Sequence, residues 1–183
     1  MHLLGNFLGY QTVWLISVFG AAAGKTWPAL LGTLLYAAWQ LPTGKAWASD
    51  ARLVAAAFVV GAALDGTLAC TDALRYSAPS PALPPSGAPL WILSLWVAFA
   101  LTLNHSLAWL TKGLWRAALA GSVGGPLAYW AAARIGSIHF SKPVWIGTGA
   151  LALGWGCAMA LLAWLAAGGK RLATVNGATE GST

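Results

Sequence analysis

Charge is the scarcest commodity in this sequence. Only 8% of its 183 residues are Asp, Glu, Lys or Arg, against about 25% in ordinary soluble proteins. Ten basic and four acidic residues cannot dress the surface of a water-soluble globule of this size, so a soluble enzyme is excluded. Glutamate is nearly missing. Glu180 is the only one, which rules out a paired-Glu site, a helical zinc-protease motif and a glutamate proton relay among the apolar residues. The two cysteines, Cys70 and Cys157, fall about 20 Å apart in depth at 1.5 Å of helix rise per residue, too far for a disulfide or a shared metal. No metal and no cofactor is expected. The net charge is +6, yet the basic residues stand singly or in pairs between long apolar runs and form no stripe, so nucleic acid is not an expected partner.

Long uncharged runs are what remain, and 58% of the residues are hydrophobic. A helix needs about 20 apolar residues to cross the hydrocarbon core of a bilayer, where a central charge costs several kcal/mol. The runs predict an all-α, polytopic membrane helix bundle of six transmembrane helices, at about 3–23, 27–41, 51–70, 89–110, 114–133 and 144–167. The second span is short and bounded by Pro28 and Pro42, so a re-entrant segment is the alternative there. Trp27, Trp39, Trp91, Trp109, Trp115, Trp145 and Trp164 fall near proposed ends, as an interfacial aromatic belt requires, while Trp14, Trp96 and Trp155 lie deeper and are expected between helices.

No Lys or Arg precedes the first run, and Asn6 and Gln11 interrupt it, so it reads as a retained helix and not a secretory signal. Lys45, Arg52, Lys112, Arg116, Lys170 and Arg171 on one side outnumber Lys25, Arg75, Arg134 and Lys142 on the other, which favours both termini inside. Residues 77–89 are too rich in proline for a helix and are expected as an extended, exposed spacer; residues 168–183 are expected as a disordered polar tail. Gly20-Ala-Ala-Ala-Gly24-Lys25-Thr26 has three residues between its glycines where a phosphate-binding loop has four, and reads as a helix-to-helix turn. Glycines four apart (5 and 9, 20 and 24, 121 and 125) are expected to let helices approach closely, and Gly124-Gly125-Pro126 to kink the fifth span beside a cavity.

Polar groups within spans carry whatever chemistry there is, because each is expensive in lipid unless paired or functional. At 1.5 Å per residue, Gln11, Asn104, His105 and Ser122 fall roughly 9 to 12 Å from one end of their helices and could meet. Asp65 and Tyr129 fall near roughly 22 Å, a second layer, with Arg134 in possible reach for an ion pair. The candidate site residues are therefore His105, Asn104, Gln11, Asp65 and Tyr129. A buried histidine suits proton transfer, and a packing role through hydrogen bonds to Gln11 or Asn104 is the plainer alternative.

Four segments, Asn6-x4-Gln11-x2-Trp14, Gly61-x3-Asp65, Trp96-x2-Phe99-x3-Leu103-Asn104-His105-x-Leu107-x-Trp109-Leu110 and Gly121-x2-Gly124-Gly125-Pro126-Leu127-x-Tyr129-Trp130, resemble the bacterial inner-membrane family catalogued as domain of unknown function 2878. The family pattern more often has Gly where this chain has Ala132. The resemblance implies an integral membrane protein without an assigned activity. It also implies a setting, since such proteins resemble accessory members of gene groups containing cyclopropane-fatty-acid-synthase-like and flavin oxidoreductase-like proteins. The expectation is an accessory protein or enzyme of membrane acyl-lipid modification, with the lipid bilayer and lipid-modifying enzymes as partners and a homo-oligomer allowed. A small proton-coupled carrier and a structural subunit recruiting soluble enzymes are the alternatives.

Overall fold

The computed structural model describes residues 2–43, 47–141 and 143–180, with backbone alone at residues 2, 42 and 43 and beyond residue 168. Lys45 and Lys142, used above for orientation, lie outside the described residues. Six helices dominate: α1 (His2–Ala22), α2 (Trp27–Thr43), α3 (Trp47–Cys70), α4 (Leu90–Ala100), α5 (Leu114–Ile135) and α6 (Val144–Glu180). Three of them, over Leu3–Ala22, Trp47–Cys70 and Val144–Gly168, are long and apolar enough to cross a membrane. α2, with 17 residues, and α4, with 11, are shorter.

The α1–α2 turn is a helix C-cap. Gly24 takes φ +72°, Lys25 N–H donates to Gly20 O and Gly24 N–H to Ala21 O, the paired bonds that satisfy a helix's last carbonyls. Gly136 ends α5 in the same way, with φ +95°. The expected close approach at Gly5 and Gly9 is present, since a Cβ on them would stand 3.3 Å from Trp39 and 2.9 Å from Tyr36 of α2, but Gly24 meets nothing within 4 Å. α5 packs on α6 through Gly121 and Gly125, where an added Cβ would collide with Trp155. α5 runs as one helix through Pro126, leaving the Ser122 carbonyl without its usual intrahelical donor.

One end of the bundle is closed by strands. β1 (Leu74–Tyr76) pairs antiparallel with β4 (Ile138–Phe140), and β2 (Ala82–Leu83) with β3 (Ala88–Pro89). The proline-rich stretch is thus no free spacer: Ala78, Gly87, Ala88 and Pro89 are buried, and the Ser80 carbonyl accepts from Thr26 Oγ1 at the α1–α2 turn. Trp91, expected in an aromatic belt, is fully buried beneath this cap and meets Tyr76 edge to face.

Two further departures matter. α3 begins four residues before the expected start at Ala51 and so takes Asp50 into its first turn, where a carboxylate favours the helix dipole. The expected fourth span over 89–110 stops being an α-helix at Ala100. From there the chain winds in tight turns, with Leu103 N–H donating to Ala100 O, His105 N–H to Thr102 O and Ala108 N–H to His105 O, ending in a 3-10 turn at Leu110–Lys112. The break is held from α1. Asn6, 1% exposed, donates to the Leu101 carbonyl at 3.1 Å and accepts from the Ser106 N–H at 3.2 Å and the Ser106 hydroxyl at 2.5 Å. At the other terminus, α6 continues through Glu180, where a disordered tail was expected from 168; residues 181–183 lie outside the described ones.

Candidate functional site

Two polar layers and one cleft stand out against the apolar bundle. The first layer surrounds the broken segment after α4. Asp50, fully buried, accepts from Asn104 Nδ2 at 2.8 Å through Oδ1, and its Oδ2 lies 3.1 Å from His105 Nε2. Asn104 also donates to Ser49 Oγ at 3.0 Å. A carboxylate holding one ring nitrogen leaves the other free to exchange a proton, the arrangement of an oriented acid–base histidine. Asn104 and His105 therefore do meet, but on Asp50. Gln11 is exposed in the wall of the cleft, and Ser122 packs on α6 at Gly156. The expected pocket of Gln11, Asn104, His105 and Ser122 does not assemble, because the depth arithmetic assumed a helix where the chain turns.

The second layer centres on Asp65, also fully buried. Its Oδ1 accepts from the hydroxyls of Tyr129 at 2.6 Å and Tyr76 at 2.7 Å, and its Oδ2 from Trp96 Nε1 at 2.7 Å. The expected neighbour Tyr129 is there. The expected ion pair with Arg134 is not; three neutral donors from β1, α4 and α5 take its place. One turn before Asp65, Gly61 leaves room for the indole, since a Cβ there would collide with Trp96. The Trp96 ring stacks on Trp155 of α6 with centroids 4.1 Å apart and planes 15° apart. Trp96 and Trp155 thus pack between helices as expected.

The cleft lies between α1, α5 and the broken segment and encloses about 470 Å³. Tyr10, Gln11, Thr102, Gly124, Leu127 and Trp155 are among its walls, and Phe7 and Leu127, 41% and 63% exposed, rim its opening. Gly124 contributes open space, with nothing within 4 Å of where its Cβ would stand. Beyond Trp14 and Trp155 a smaller cavity of about 40 Å³ continues toward the strand cap, against Val18, Trp91, Tyr129 and Ile138. Among the described residues, the buried indole nitrogens of Trp91 and Trp155 have no hydrogen-bond partner.

Sequence reasoning missed Asp50, Tyr76 and the donor role of Trp96. Asp50 fell just outside the expected span, and Tyr76 between the expected span ending at 70 and the spacer beginning at 77. The i, i+4 pair Gly61 and Asp65 was the available signal for Trp96, because a gap and an acceptor one turn apart on one face fit an indole. Cys70 and Cys157 are free thiols.

The family described as Protein of unknown function (DUF2878) matches residues 3–161. No curated protein and no solved structure matches the chain. The match spans most of the chain, which belongs to this family of unknown function.

Proposed function

We propose that this chain is a six-pass protein of the bacterial inner membrane that holds an acyl lipid in the cleft between α1 and α5 and takes part in modifying it. The cleft is the observation that carries the reading. Its volume of about 470 Å³ lies within the range of roughly 300 to 1,000 Å³ common to small-molecule sites. Its walls are largely apolar, it contains no charged side chain, and it opens past exposed Phe7 and Leu127 onto the side of the bundle. In a bilayer, the molecules meeting that opening are lipid chains.

A pass by α6 is supported by its exposed tryptophans. Trp145 and Trp164 on α6, 74% and 61% exposed, are separated by about 28 Å of helix, close to the roughly 30 Å hydrocarbon thickness of a bilayer. Non-helical backbone within a membrane is tolerated where protein buries it, and Leu101, Thr102 and Leu103 are all 0% exposed. We read α4 and the broken segment together as one pass, with Asn104 to Ala108 half-buried and Trp109 exposed at its end. The basic residues favour both termini inside.

The segment that walls the cleft with Thr102, Leu107 and Leu110 also carries Asn104 and His105. A lipid whose chain occupies the cleft with its headgroup at that end has the Asp50–His105 pair at the headgroup level. The test is a mass-spectrometric comparison of lipids from wild-type, deletion and His105→Ala strains. A changed acyl species in both altered strains supports the reading. An unaltered profile in the deletion strain, in cells whose wild-type protein is confirmed in the membrane, removes lipid modification.

A further inference from the structure

The cleft between α1 and α5 has the length of one leaflet. Its walls on α5 run from Ala120 to Ala131, about 16 Å of helix and half the roughly 30 Å hydrocarbon thickness of a bilayer. An acyl chain whose headgroup sits at the end where α1, α3 and α5 begin fills that length. Trp109 and Trp115, 56% and 77% exposed at this end, mark the interfacial level.

At that level the surroundings turn basic. Arg116 precedes Ala120, Gly124 and Leu127 by four, eight and eleven residues, so it shares their stripe of α5. Its Cα lies about 6 Å of helix rise before Ala120, which is the first wall residue on α5. A Cβ on Gly113 would stand 3.6 Å from Arg116 Nε, which places the guanidinium back over the start of the helix, toward the headgroup level. Lys112 follows the wall residue Leu110 by two positions, and both cations are exposed. Among the described residues the ion pairs are Arg75 with Asp72 and His105 with Asp50, so neither Arg116 nor Lys112 has a carboxylate of its own. Asp50 is buried and spent on Asn104 and His105. Uncharged walls thus end at two uncompensated cations. A guanidinium takes phosphate or carboxylate in paired hydrogen bonds, whereas a zwitterionic headgroup brings its own ammonium beside two positive charges.

We propose that the lipid held by this cleft carries a net anionic headgroup, a phosphate or carboxylate received by Arg116 and Lys112. The inference rests on the acyl-lipid reading above and names the substrate class within it.

The test is saturation binding of radiolabelled lipids to the full-length protein in non-ionic detergent, in two matched pairs: phosphatidylglycerol against phosphatidylcholine with the same chains, and palmitate against methyl palmitate. Binding is counted as the share lost when Gly124→Leu fills the cleft. Wild type is expected to favour the anion of at least one pair by about fivefold or more, the worth of one basic side chain facing an anionic lipid. A preference in the first pair makes the anion a phospholipid phosphate, and one in the second a fatty-acid carboxylate; either supports the inference. Arg116→Gln should weaken the favoured anion about fivefold and leave its neutral partner unchanged. Arg52→Gln removes a cation of α3, a helix that contributes no wall to the cleft, and should change neither. Equal affinity within both pairs overturns the inference and leaves the lipid reading standing. So does a preference that survives in the Arg116→Gln, Lys112→Gln double variant, or one that falls as far in Arg52→Gln. Absence of any share lost in Gly124→Leu overturns both readings. The matched pairs on wild type decide the matter even where a variant fails to fold.

Discussion

Replacing Asp65 tests the polar layer that joins α3, β1, α4 and α5. In Asp65→Ala, the hydroxyls of Tyr76 and Tyr129 and the indole N–H of Trp96 lose the acceptor that now stands 2.6 to 2.7 Å away. Each orphaned buried donor costs about 1 to 3 kcal/mol. The sum is not reached, because removing the carboxylate also removes its own desolvation penalty. A net loss of about 3 to 5 kcal/mol is the expectation, as for other buried polar groups stripped of a partner. Asp65→Asn keeps one acceptor oxygen for the two tyrosines but turns an amide NH2 toward the Trp96 N–H, donor against donor. It should cost about 1 to 2 kcal/mol. Reversible unfolding in mixed micelles, titrated with SDS, reads both values, and a cycle with Tyr129→Phe isolates the pair. Asp65→Ala within about 0.5 kcal/mol of wild type would refute the argument that these bonds hold the layer together.

Other substitutions probe the packing, the break in α4 and the strand cap. Gly121→Ala drives a Cβ into the Trp155 backbone oxygen, whereas Gly124→Ala meets nothing within 4 Å; unfolding should show a loss of about 1 to 3 kcal/mol for the first and little change for the second. Asn6→Leu leaves the Leu101 carbonyl and the Ser106 N–H without the bonds they now make, so hydrogen exchange over residues 101–110 should quicken while α6 keeps its protection. At the cap, Arg75 donates to both carboxylate oxygens of Asp72 at 2.6 Å and thereby holds that carboxyl below its ordinary value. A depressed folded-state pKa contributes stability above the unfolded carboxylate value near pH 4 and loses it as pH falls through the lower folded value. The small difference between wild type and Asp72→Asn should therefore be present at pH 7, shrink with added salt and vanish in acid.

The helices were legible because a charge-free run is itself the physical requirement for burial in lipid. Their continuity was not. Hydropathy sees an apolar stretch from 89 to 110 but cannot see that Asn6, nearly a hundred residues away, supplies the hydrogen bonds that let the backbone leave the helix at Leu101. Depth arithmetic succeeded for Asp65 and Tyr129, which lie on unbroken helices, and failed to bring Asn104 and His105 to Gln11 and Ser122, because the first two lie in the broken segment while the others stay on α1 and α5. Asp50 escaped notice for a related reason, since a charge at a helix start reads as interfacial until a partner from another segment buries it. The proline-rich stretch hid its role because its own strands are only two residues each and its anchor on the α1–α2 turn joins Ser80 to Thr26, a separation that local pattern does not reveal.

The most direct test of the account is the acyl lipid retained by the purified protein when the cleft is filled. Gly124→Leu adds a side chain to open space in the cleft wall and replaces glycine by a better helix former, so the fold should hold or gain stability. Mass spectrometry of lipid co-purified with equal amounts of wild-type and Gly124→Leu protein, both checked for an unchanged unfolding profile, should show the tightly bound acyl species lost from the variant. Retention of the same species in the same amount would contradict an acyl chain in the cleft between α1 and α5.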